Sequence, residues 1–135
     1  EGSLVQYAAA FTPKGGKLLL SHIEDESTLN RYLEAIGKIP EIDTEVAKES
    51  ILTRLLKDAK DFSEAARTGL EEANLGIQVK GSAKVGRRLE DYRRQIEEDH
   101  VDLLVMHAKE DDQMAMHGMA HPLAVELRSV PILLL

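Results

Sequence analysis

Three short, mostly apolar runs constrain this chain more than any other feature: 17–23 (KLLLSHI), 101–106 (VDLLVM) and 131–135 (PILLL). A strand on a half-exposed sheet alternates apolar and polar residues, whereas a strand covered on both faces reads as a continuous apolar run. Runs this short are read as strands rather than buried helices, the first of them following a glycine turn. Between them the pattern changes to the helical period. With Thr44 read as the N-cap, apolar residues recur at gaps of three and four through Leu52, Leu55, Leu56, Ala59, Phe62, Ala66, Leu70 and Ala73, and Gly76 reads as the stop. Residues 3–11 (SLVQYAAAF) are good helix formers halted by TPKGG, and a short helix is expected over 27–38, ended by Ile39-Pro40. Residues 77–80 read as a strand ended by Gly81-Ser82, after which Val85, Leu89, Tyr92 and Ile96 mark one face of another amphipathic helix. An acidic loop at 109–113 and a helix over about 118–128 precede the last strand.

The order is therefore helix, strand, helix, helix, strand, helix, strand, helix, strand. Helical crossovers between strands dictate parallel pairing with both faces covered. The fold class expected is α/β: a three-layer sandwich with a parallel, doubly wound sheet of about five strands. No internal repeat, linker or low-complexity tract divides residues 1–135, so one domain is expected.

Composition narrows the function. At 135 residues the chain can bury one core. Its net charge of −7, from 17 basic and 24 acidic side chains, repels nucleic acid and anionic lipid, so neither is expected as a partner. The absence of cysteine excludes disulfides, zinc–thiolate sites and thiol catalysis. No stretch approaches the roughly 20 apolar residues that cross a bilayer, and no signal peptide is visible. A cytoplasmic location is expected. The chain opens at Glu1 rather than Met, which reads as a missing upstream segment.

Taken together, the motifs resemble the universal stress protein family of adenine-nucleotide-binding α/β domains. Val101-Asp102-Leu103-Leu104-Val105-Met106 is similar to the family's Asp-Leu-Ile-Val-Met strand, and Val79-Lys80-Gly81 to its strand–Gly–helix junction. Leu18 to Ile23 resembles the second family strand, which commonly ends in His-Val. Gly118 lies thirteen residues before Pro131, the family's spacing between its Gly-Ser and the proline of its last strand. The resemblance implies a further strand before Ser3, carrying a ligand-contacting aspartate, and we expect it upstream of Glu1. It also implies ATP or AMP, with Mg²⁺, as the ligand class.

The loop departs from that pattern. ATP-binding members carry Gly-x-x-Gly, nine residues, then Gly-Ser or Gly-Thr. Here residues 107–119 read HAKEDDQMAMHGM: the first two glycines are gone and Met119 replaces the hydroxyl. Glycine lets backbone N–H groups close on phosphate, and side chains hold the backbone away. Glu110, Asp111 and Asp112 set three carboxylates where a triphosphate would sit. One like-charge pair about 4 Å apart costs about 1 kcal/mol in water, and roughly 4 kcal/mol at an effective dielectric near 20. A bridging Mg²⁺ would reverse the sign.

Other features admit a sharp account and a plain one. His107, His117 and His121 lie with all four methionines (Met106, Met114, Met116, Met119) inside sixteen residues. They could form a metal-responsive loop, copper(I) being the ion that suits methionine. More plainly, the methionines line an adaptable apolar surface. Pro122 near a helix start leaves the amides of 118–120 to face a ligand, or simply starts a helix. The basic stretch Lys80, Lys84, Arg87, Arg88, Arg93 and Arg94 is an anion or partner site, or a solvated face. Ser21 and His22 adjoin on a strand, where side chains alternate faces, so they cannot act as a nucleophile–base pair.

No hydrolase elbow, Walker loop or zinc-protease motif occurs, and no enzymatic activity is expected. The leading reading is a stress-response regulatory domain with weak or altered nucleotide binding. Its ligand site is expected at the carboxyl ends of the strands, near Ile23, Met106, His107, Gly118, Met119 and Ala120. A ligand-free dimerisation or scaffold domain acting through protein partners is the rival, with the His/Met-loop metal binder third. The resemblance implies a homodimer through the last strand, PILLL, from Pro131 to Leu135. The plainer account makes that strand a core element covered by the chain's own helices.

Overall fold

A computed structural model describes residues 2–108 and 120–135. Its elements run α1 (Gly2–Ala10), β1 (Lys17–Asp25), α2 (Glu26–Gly37), α3 (Thr44–Glu72), β2 (Gln78–Gly86), α4 (Arg88–Glu98), β3 (Leu104–Met106), α5 (Ala120–Glu126) and β4 (Ile132–Leu134). That is the order expected from the alternation of apolar runs and helical periods. The chain divides into two compact units, one of Lys14–Arg87 and one combining Glu1–Pro13 with Arg88–Leu135. The described strands form two parallel pairs, β1–β2 and β3–β4, rather than one sheet of about five. The further strand was expected upstream of Glu1, outside the sequence given; the first described element is the helix expected from SLVQYAAAF.

In the Lys14–Arg87 unit, β1 and β2 pair in unbroken register from Lys17↔Gln78 to Asp25↔Gly86. Two glycines with left-handed backbones, Gly15 (φ 86°) and Gly76 (φ 71°), turn the chain into these strands. The Gly15 N–H donates to the Gly76 carbonyl (2.7 Å), and the Gln78 N–H donates to Gly16 (2.9 Å). Helix α3 packs on this pair and α2 packs on α3. The α3 stripe holds from Leu52 to Leu70, with Leu56 buried, while Ala73 is exposed. Its N-cap is Asp43, not Thr44: the Asp43 carboxylate accepts from the Glu45 N–H (3.0 Å) and Val46 N–H (3.4 Å). Nor does Gly76 end the helix. Ala73 caps it and Asn74 takes the first left-handed backbone (φ 56°).

The largest difference from the sequence reading is β2. Gly81 and Ser82 do not end the strand but lie inside it, and Val85 belongs to the strand rather than to α4. A Cβ built on Gly81 would stand 3.0 Å from the Ser63 Cβ of α3. Glycine there serves close helix–strand approach, not a turn.

The second unit centres on Ile96, Leu123 and Leu127, against which Leu89, Tyr92, Val101, Leu104, Met106, Val130 and Ile132 pack. Leu123 is only 2% exposed, and burying such a side chain contributes about 2 kcal/mol. Strand β3 is shorter than VDLLVM. The Val101 N–H returns to the Ile96 carbonyl (3.0 Å) and His100 is left-handed (φ 52°), so these residues still finish α4. Leu104 then pairs with Ile132, Val105 with Leu133 and Met106 with Leu134. The expectation that PILLL is a fully buried strand is also modified: β4 is three residues long, and Leu134 and Leu135 are exposed.

Candidate functional site

Parallel strands deliver their last residues to one end, where a following loop or helix start can hold a ligand. The expected site residues fall there in different units. Ile23, 2% exposed, lies near the end of β1 as a core side chain. Beside it the strand end is polar. His22 Nε2 stands 3.1 Å from Glu24 Oε2, the two sharing a strand face at a spacing of two residues. Asp25 caps α2, its carboxylate accepting from the Ser27 N–H (3.0 Å), and the Arg87 guanidinium donates to Glu26 (3.2 Å). The sequence reading missed these groups. Their signal was present in the two-residue spacing and in a carboxylate at a strand–helix junction.

In the other unit Met106 ends β3, partly buried against the core, and His107 follows, also partly buried. The Met106 carbonyl accepts from the Leu135 N–H (3.1 Å), and Ala108 donates to Leu135 (3.0 Å). The strand end is thus tied to its neighbour by backbone, leaving the His107 ring as its polar side chain. Ala120 opens α5 and Pro122 stands in its first turn, a position where proline costs no hydrogen bond. Gly118 and Met119 lie outside the described residues, as do Glu110, Asp111, Asp112, Met114, Met116 and His117.

Among the described residues no group of three metal-ligating side chains is gathered. Three members of the basic stretch form surface pairs, Arg87 with Glu26, Arg93 with Glu126 (3.2 Å) and Arg94 with Asp91 (2.7 Å). A groove of about 280 Å³ lies elsewhere, between α3 and β2, lined by Lys60, Ser63, Glu64, Arg67, Gly81, Ser82 and Ala83. Arg67 in it is held above its usual range, first by its hydrogen bond to Glu64, then by the charges of Glu64 and Glu71.

No family model matches the chain, and no curated protein matches its sequence. Among solved structures it is similar to that of the hypothetical protein MJ0577, a test case of structural genomics. The TM-score is 0.74 at 20% identity, over 99% of this chain and 85% of that one. No helix among the described residues is long and apolar enough to cross a membrane. The likeness shows the architecture alone: a mixed α/β fold with parallel strands.

Proposed function

We propose that the chain is a regulatory ligand-binding domain of the universal stress protein type, without enzymatic activity of its own. It takes a small ligand at the carboxyl ends of its parallel strands, in a doubly wound arrangement. The observation that carries this reading is the fold likeness across 99% of the chain, joined to strand ends that carry His107 and a helix start. Adenine nucleotide is the ligand class, bound weakly. The loop lacks the glycines that bring N–H groups to phosphate, and Glu110, Asp111 and Asp112 add like charge. In this reading two chains pair through β4, where the exposed Leu134 and Leu135 supply an apolar edge.

Titration calorimetry with ATP and AMP, each with and without Mg²⁺, tests the ligand. Weak binding that strengthens with Mg²⁺ agrees with the proposal, since the cation bridges carboxylates and phosphates. Low-micromolar ATP affinity without metal overturns the loop argument. Complete indifference to nucleotide favours the rival, a ligand-free domain acting through partners.

A further inference from the structure

The open edge of β2 offers a second recognition surface, remote in chemistry from any nucleotide. Along a strand, successive residues aim their backbone N–H and C=O alternately to either side. The Gln78 N–H is spent on the Gly16 carbonyl, so the even-numbered residues of β2 face β1. Val79, Gly81, Ala83 and Val85 therefore aim their backbone groups the other way. Among the described residues those outward groups meet no partner.

The side chains at this edge are selective. Lys80 and Lys84 are exposed, share one face of β2, and make no ion pair among the described residues. A second copy of this edge is a poor occupant. Antiparallel pairing at full overlap, centred on Ser82, sets Lys80 opposite Lys84 twice, and opposed like charges destabilise a sheet. An acidic strand meets the reverse: each of its carboxylates finds a lysine. On the other face Gly81 adds no side chain, and the 280 Å³ groove beside it holds Lys60, exposed and without an ion pair among the described residues. Glu64 lines the same groove, but Arg67 engages its carboxylate. The surface is thus cationic in a protein whose net charge is −7.

We propose that the outer edge of β2 receives an extended acidic peptide as an added strand. Backbone pairing at Val79, Gly81, Ala83 and Val85 supplies the affinity, and Lys80, Lys84 and Lys60 supply the preference for acid. This surface lies wholly within the Lys14–Arg87 unit and does not depend on the nucleotide reading.

The test uses the peptide Ac-Thr-Glu-Val-Glu-Val-Glu-Thr-NH₂, its Lys-for-Glu counterpart, and a version N-methylated at alternate residues. Amide NMR of the full chain is expected to show saturable shifts centred on Gly81 and Ala83 with the acidic peptide alone. N-methylation should abolish them. Lys80→Glu with Lys84→Glu, both at exposed positions, should weaken binding about tenfold or more and turn the preference towards the lysine peptide. Ala83→Pro, which removes an outward N–H without touching the β1 ladder, should abolish binding while circular dichroism stays native. Equal binding of both peptides, shifts elsewhere, or indifference to the charge reversal would overturn the proposal. So would inorganic phosphate alone reproducing the shifts and displacing the peptide, which would make the groove a simple anion site.

Discussion

The two units reach parallel strand pairing by different routes. In Lys14–Arg87 the strands are nine residues each, and every element comes from one continuous stretch of chain. In the other unit the strands are three residues each, and the elements are gathered from both ends of the sequence. Both bury apolar side chains, Leu18, Ile23, Leu29 and Leu56 in the first and Ile96, Leu123 and Leu127 in the second. The first adds a nine-residue ladder and a long helix where the second has a ladder of three. Their outer strands differ as well: β2 carries lysines, β4 carries exposed leucine. Charge on an edge blunts self-association, whereas an apolar edge invites it.

Truncating one of the two best-buried side chains is the strongest way to probe this contrast. Leu123→Ala should lower stability by about 3 kcal/mol, because little backbone pairing remains to hold β3 and β4 once the core opens. Hydrogen exchange should then rise first in 88–135. Loss of protection spread evenly over both units would mean that they melt as one. Gly81→Val sharpens the other half of the comparison. Its side chain collides with Ser63, and a cost of about 1–3 kcal/mol is expected. Adding Ser63→Gly should restore part of it, a coupling that denaturant melts of the single and double variants will measure. Asp43→Ala removes the α3 cap and should cost about 1 kcal/mol by the same melts.

Leu134→Lys should leave stability nearly unchanged but shift sedimentation towards the 15.0 kDa monomer, if β4 is the pairing edge proposed above. A wild-type chain that already sediments as a monomer at micromolar concentration removes the basis for that edge. The smallest effect belongs to Lys57, which its hydrogen bond to Asp61, and then that carboxylate's charge, hold above the ordinary 10.5. A raised pKa means that the pair's contribution is complete below pH 10.5 and fades as pH climbs through the folded value. Lys57→Met should therefore be nearly silent at pH 7, and the alkaline limbs of the two proteins should converge.

Element order and most helix faces were legible in the sequence because both follow local periodicity, as the Leu52–Leu70 stripe does. What stayed hidden was tertiary. Gly81-Ser82 has the composition of a turn, and only the proximity of Ser63, eighteen positions earlier, makes it the middle of a strand. VDLLVM looked like six strand residues because nothing local discloses that the Val101 N–H is bonded back to α4. Of the candidate site, strand-end positions were legible to a similar extent. Met106 and His107 were placed at a strand end from their position in an apolar run, while the His22–Glu24 and Glu26–Arg87 pairs needed coordinates.

The paired glycine turns ahead of β1 and β2 carry an evolutionary consequence. Gly15 bonded to Gly76, and Gly16 to Gln78, fasten the two strands at their starting ends, as the box of a zip aligns its first teeth. Alignment is then settled before any of the chain joining the two strands is consulted. Doubling a flexible connecting loop costs only about 0.6 kcal/mol in closure entropy. The short link at 39–42, between the caps of α2 and α3, is thus a place where descendants of this sequence can gain or lose residues while every pairing from Lys17 to Asp25 stays in step.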